Sequence, residues 1–297
     1  YVFVNICTCL MEFFHKSEKK VQTNFVSEKI INTFNYSIMK RSVLILSLAA
    51  FVLSSNAQVL KSNLLNGYKQ GDKLEKATYN KADAPIKIDT WCEAFSSQTD
   101  KNAGSPITGQ ELSYEGYTEK GVSIKIGELP ENVKGSRFSV YSISEKNDYC
   151  RGTLYLSFLA NFSSVASSRL GDFIALSPVH TGGNLRARVY VGKIDDEHIR
   201  FGTNLLRVNA ESFKSHALNK THLLVLKLDY KKNEVSLFVD PALTAEEPQP
   251  DVVAKGDEDN NKLKGGIRSI SFRNRDDLTG NVGNFRFSSS WAGVIAQ

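Results

Sequence analysis

A chain of 297 residues that is 41% apolar and 23% charged has ordinary globular composition, which excludes collagen, a long coiled coil and wholesale disorder. Its formal charge of +5 is partly local: six of the 37 basic and three of the 32 acidic residues fall in the first 57, leaving 31 against 29 over the rest. So even a balance gives no basic field of the kind that draws in nucleic acid or an anionic membrane.

The first signal along the chain is at Met39. Lys40 and Arg41 precede the apolar run Val43 to Leu53, interrupted only by Ser47, and Ser55-Asn56-Ala57-Gln58 follows. A basic head, a short apolar stretch and small residues before a cut after Ala57 together read as a secretory signal peptide over 39–57. Eleven residues are fewer than the roughly 20 that span a bilayer, so no transmembrane segment is expected once the signal is removed. No cysteine follows the cut to carry a lipid. The expected location is secreted or periplasmic. A signal peptide works from the extreme N-terminus, so residues 1–38, which start at Tyr1, read as a non-native upstream extension, with translation expected from Met39. Cys7-Thr8-Cys9 is also too tightly spaced for a usual metal-binding pair.

Residues 58–297 are expected to form one domain. Export to an oxidising space favours a disulfide between Cys92 and Cys150, and closing a loop of that length would contribute roughly 4 kcal/mol. From about residue 110 the apolar pattern has period two, the mark of half-buried strands. Val122, Ile124 and Ile126 share a face, as do Phe138 and Val140, and then Leu154, Leu156, Phe158, Ala160 and Phe162. Leu185, Ala187, Val189 and Val191 form the next set, opposed by Arg186, Arg188 and Tyr190. Val235-Leu237-Val239, Ile270-Phe272 and Phe285-Phe287 complete it. Helical spacing is seen only over Ala210 to Leu218. The fold class that follows is all-β, an antiparallel two-sheet sandwich with the apolar sets inside and their polar partners on the surface. A proline-bearing acidic stretch at 242–264 reads as a long exposed loop. It lacks the spacing and the sixth-position glycine of a calcium hand.

Leu154-Tyr155-Leu156-Ser157-Phe158-Leu159, Gly171-Asp172-Phe173-Ile174-Ala175-Leu176 and Ala187-Arg188-Val189-Tyr190-Val191 resemble, in order and spacing, the laminin-G-like/concanavalin A-like sandwich of exported bacterial proteins. Thr221 to Tyr230, Val235 to Pro241 and Phe285 to Trp291 continue the likeness, which covers most of 68–295. The resemblance implies a jelly roll that binds glycans or proteins. It supplies no catalytic set. Relatives of the laminin-G type often hold one calcium through loop acids, and the resemblance makes Asp172 the candidate ligand here.

The chemistry of the side chains points the same way. Glycosidases need two carboxylates about 5–10 Å apart, and the predicted strands hold almost no Asp or Glu. Asp195-Asp196-Glu197 reads as a hairpin tip. Arg186, Arg188 and Tyr190, with His198 and Arg200 across that hairpin, form a basic aromatic strip suited to an acidic sugar, with arginine forks on carboxylates and tyrosine on a ring. His180, His198, His216 and His222 lack zinc-site spacing. Trp291 is expected in the core, whereas Trp91 is open to either a core or a sugar-stacking role. The expectation is an exported, non-catalytic module that recognises carbohydrate or a cell-surface protein, with no cofactor unless calcium. A polysaccharide-active hydrolase or lyase and a structural envelope component are the alternatives.

Overall fold

The computed structural model describes residues 58–295 except 79–86, 95–104, 130–134, 147, 181–183 and 258–260. The expected signal peptide and upstream extension therefore lie outside the described residues. In chain order the strands are β1 (Val59–Ser62), β2 (Ala77–Thr78), β3 (Trp91–Glu93), β4 (Thr108–Glu111), β5 (Val122–Ile126) and β6 (Ser136–Ser142). The middle of the chain gives β7 (Thr153–Val165), β8 (Gly171–Ser177), β9 (Ala187–Lys193), β10 (His198–Leu205), β11 (Val208–Glu211) and β12 (His216–Ala217). The remainder gives β13 (Thr221–Asp229), β14 (Glu234–Val239), β15 (Val252–Lys255), β16 (Ser269–Arg275), β17 (Leu278–Ser288) and a short helix α1 (Trp291–Ile295).

These strands form two sheets. One runs β15-β14-β13-β7-β17-β5-β4, with β1 also on β17; the other runs β11-β10-β9-β8-β16-β6-β3-β2, with β12 on β10. All pairings are antiparallel except β2 with β3. The period-two sets seen in the sequence meet between the sheets. Phe158 and Phe162 of β7 flank Phe173 of β8 at ring-centroid distances of 5.9 and 5.1 Å, both edge-to-face. Phe201, Phe272, Phe285 and Phe287 extend this layer, all fully buried. A bulge in β8 between Asp172 and Ile174 places one extra residue in the strand. Phe173 and Ile174 both join the core, and Asp172 pairs with Tyr190 of β9. Trp91 is core as well, fully buried with its Nε1 donating to the Leu64 carbonyl at 3.0 Å.

The first sheet is buried on both faces. Trp291, Val294 and Ile295 of α1 lie with Tyr117 against Tyr155, Leu159, Leu223, Val225 and Phe238, which explains the nearly continuous apolar run of β13. Trp291 is thus a core residue, but of this second layer and not of the space between the sheets. With that face covered, the outer face of the second sheet is left to carry polar groups.

Three sequence expectations need correction. Cys92 and Cys150 are free thiols and form no disulfide. Cys92 packs with Ala94 and Val140 on β3 and β6, whereas Cys150 is exposed beside the Tyr149–Ile267 bridge. Burial pushes the Cys92 thiol up to about 11, the inert state of a structural cysteine. The segment Ala210 to Leu218 is not helical but supplies the end of β11 and all of β12, because pairing with β10 outweighs a weak local period. The stretch 242–264 is not one exposed loop: Val252–Lys255 forms edge strand β15 on β14. Pro248 and Pro250 precede that strand, and an edge strand needs only one ladder. The acids of this stretch are also engaged, Glu247 by Lys227 at 2.6 Å and Asp251 by Lys214 at 3.2 Å.

Replacing Phe173 by alanine removes the ring shared by two aromatic pairs and should destabilise the domain by about 3–5 kcal/mol in equilibrium denaturation. His180 gives a pH signature. It is buried, with its Nε2 3.1 Å from the Ser144 carbonyl and its Nδ1 3.1 Å from the Ser142 hydroxyl. Burial and the nearby Arg268 lower it from 6.5 to about 4. Its contribution is therefore complete above about pH 6.5 and is lost as pH falls toward 4. The stability gap between wild type and His180→Asn should narrow across that window; a gap unchanged down to pH 4 contradicts the assignment.

Candidate functional site

Alternation that sends Ala187, Val189 and Val191 into the core sends Arg188 and Tyr190 outward, and the same register brings neighbouring strands to the same face. Arg188 pairs with Asn204 of β10 and with Ala175 of β8, Tyr190 with Gly202 and Asp172. Arg188, Tyr190, Asn204 and Asp172, together with Arg273 of β16, line a cavity of about 930 Å³, bounded by Arg207, Asn209 and Glu211 around β11 and by the 167–170 segment before β8. Two glycines make this closeness possible. A Cβ on Gly202 would stand 2.9 Å from both Leu170 Cδ1 and the Ala210 carbonyl, and one on Gly192 would stand 3.1 Å from Leu170 Cδ2. Bare backbone at both positions lets Leu170 rest on the sheet.

The cavity is rich in arginine: Arg169, Arg188, Arg200, Arg207, Arg273 and Arg275 line it against Asp172, Glu211 and Asp277. Each acid is already matched. Asp172 accepts from Arg273 at 2.6 Å and lies 3.5 Å from Arg275. Arg275 donates from Nε and Nη2 to the two oxygens of Asp277 at 2.7 and 2.9 Å, which holds the Asp277 carboxyl below its usual range and raises Arg275. Arg200 reaches Glu211 at 3.1 Å and donates to the Ser168 carbonyl at 2.9 Å, fastening the 167–170 segment to the sheet. Among the described residues no carboxylate pairs with Arg188. Its Nη1 donates to the Tyr190 hydroxyl at 3.1 Å, and its Nε is buried without a partner. Asn204 Oδ1 beside it is buried and unpartnered as well, although its Nδ2 donates to the Leu206 carbonyl. Burial raises the Tyr190 phenol.

Of the five residues expected to form a strip, Arg188, Tyr190 and Arg200 line this cavity, and Asp172 lies there too. Arg186 and His198 do not. Arg186 precedes the first residue of β9 and its guanidinium turns to the Lys264 carbonyl and Asn184. His198 begins β10 and is held at the hairpin tip by Asp195, 2.8 Å from its Nδ1. Asp172, expected as a calcium ligand, is flanked by two guanidinium groups, an environment opposed to a second cation. The sequence reading missed Arg273 and Arg275. Their alternation with Ile270 and Phe272 places Arg273 outward by the same rule that found Arg188, but nothing in the sequence says that β16 lies beside β8.

No protein-family profile matches the chain, and no curated protein is significantly similar in sequence. Solved structures of similar shape include the globular domain of T. cruzi calreticulin (TM-score 0.43, 12% identity, 69% of this chain and 86% of that one). An arabinofuranosidase complexed with arabinofuranosyl-alpha-1,2-xylobiose matches at TM-score 0.45 and 8% identity, over 67% of this chain and 44% of that one. Lectin I from Ulex europaeus, in complex with the methyl glycoside of alpha-L-fucose, matches at TM-score 0.37 and 12% identity, over 66% of this chain and 94% of that one. The two largely antiparallel sheets make the chain an all-β sandwich, the fold class that the period-two pattern led one to expect.

Proposed function

We propose that the protein is an exported, non-catalytic recognition module that binds carboxylate-bearing carbohydrate in the arginine-lined cavity on the outer face of the second sheet. The observation that carries this reading is Arg188: a half-buried guanidinium on the cavity floor with no acidic partner among the described residues, an unused Nε and a neighbouring tyrosine. A guanidinium fork matches a carboxylate in two parallel hydrogen bonds, and a sugar acid presents that group on a ring that an aromatic face can meet. The unused Asn204 Oδ1 adds an acceptor for a sugar hydroxyl. Three acids against six arginines leave the cavity net cationic.

The non-catalytic part rests on protonation states. A glycosidase acid needs a raised pKa, whereas Arg275 holds Asp277 low and Asp172 is ion-paired. A lyase base needs a proton acceptor near neutral pH, and the Tyr190 phenol is raised. Export rests on the sequence pattern over 39–57.

Calorimetric titration with oligogalacturonate should show binding that weakens with salt, and neutral oligosaccharides of equal length should bind less. Arg188→Ala should weaken binding about 10- to 100-fold, the loss of one or two charge-assisted hydrogen bonds. Equal binding of neutral and acidic oligomers, or an unchanged Arg188→Ala variant, overturns the site, and sugar release from polygalacturonate overturns the non-catalytic reading. N-terminal sequencing of protein recovered outside the cytoplasm should begin at Gln58. A start upstream of Met39 removes the export argument.

A further inference from the structure

Away from the arginine-lined cavity, three ligand-type side chains from both sheets converge. His216 lies on β12, which pairs with β10 of the second sheet; His222 is the second residue of β13 of the first sheet, and Asp240 follows β14. One nitrogen or oxygen from each lies within 4.8 Å of the others. We propose that His216, His222 and Asp240 form a binding site for a zinc-class divalent metal at the rim where the two sheets meet.

Donor and acceptor balance is the first argument. His222 is 1% exposed, with its Nε2 2.9 Å from the Ala217 carbonyl and its Nδ1 2.7 Å from Asp240 Oδ2. Both neighbours are acceptors, and a neutral imidazole donates only once. The Nε2 hydrogen goes to the carbonyl, so the contact between Nδ1 and the carboxylate needs a cation: a second proton or a metal. A metal-bound histidine usually has this arrangement, one nitrogen on the metal and the other N–H donating to a backbone carbonyl. Asp240 is steadied in turn, because its Oδ1 accepts from the Leu223 amide at 3.0 Å.

His216 is the second and independent argument. It is 6% exposed, and its Nε2 is buried without any hydrogen-bond partner. A buried polar atom left without a partner is destabilising, and coordination would satisfy it. Edge contacts of both imidazoles with Phe201, at 5.3 and 5.7 Å between centroids, fix the two rings. Two imidazoles and one carboxylate select a zinc-class ion over calcium, which takes oxygen ligands. Three protein ligands leave a fourth position for water. The sequence reading set zinc aside because the histidines lack zinc-site spacing; His216 and His222 approach instead because β12 pairs with β10 and His222 Nε2 reaches the Ala217 carbonyl of β12.

The test is zinc titrated into chelator-stripped full-length protein, read by competition with a chromophoric chelator and by thermal unfolding. The expected result is one zinc per chain and a higher unfolding temperature, with calcium giving neither. Cobalt in its place should give visible bands of tetrahedral intensity without the near-ultraviolet band of thiolate ligation. His216→Ala and Asp240→Asn, checked for native circular dichroism, should each lower affinity at least tenfold. Failure of the wild-type protein to bind zinc, a thiolate band, or undiminished affinity in both variants overturns the site, and the wild-type measurements decide the matter even where a variant does not fold.

Discussion

The packing of Phe158 and Phe162 against Phe173 across the sandwich is the constraint on which the other features depend. Successive strand residues face opposite ways, so seating these rings inside fixes which residues of every paired strand lie outside. A one-residue slip of β9 against β8 would send Arg188 and Tyr190 inward and expose Val189. The arginine-lined cavity is therefore held in register by apolar groups on the opposite side of the same sheet. The β8 bulge serves both sides, placing two apolar residues in the core while Asp172 stays beside Tyr190.

Charge follows the same division. Inside the sandwich rim Arg137 is paired with Glu75 at 2.7 Å and lies 3.4 Å from Glu93, all largely buried, a structural arrangement whose disruption would strand a charge. On the outer face the pairs are incomplete. Asp172, Asp277 and Glu211 fix Arg273, Arg275 and Arg200, and these pairs stiffen the cavity walls. Among the described residues lining the cavity, Arg188 is the one with a buried, unused donor. Among the described residues this network leaves three of the six cavity arginines, Arg169, Arg188 and Arg207, without an acid, and that surplus of positive charge is what the proposed anion site rests on.

The histidine cluster illustrates how a sandwich rim concentrates ligands. Strand ends from both sheets meet where ladders stop, and side chains there satisfy each other or bind something. His222 and Asp240 do the first, and His216 is left over. The metal site and the glycan site share no residue, so the two proposals stand independently.

Much of the fold was legible in the amino-acid order. The period-two sets at 122–126, 154–162, 187–191, 235–239 and 285–287 fall in β5, β7, β9, β14 and β17, because alternation is a local property set by the geometry of one strand. The short strands were not legible: β2, β11, β12 and β15 hold two to four residues each and are strands only because a neighbour offers a ladder. The site divides the same way. Sequence alone determined that Arg188 and Tyr190 face outward together, since that needs only their spacing. Which strands lie side by side, and hence that Arg273, Asn204 and Asp172 join them, that Arg186 and His198 turn away, and that His216 meets His222, was decided by tertiary pairing between segments up to about a hundred residues apart, which no local pattern encodes.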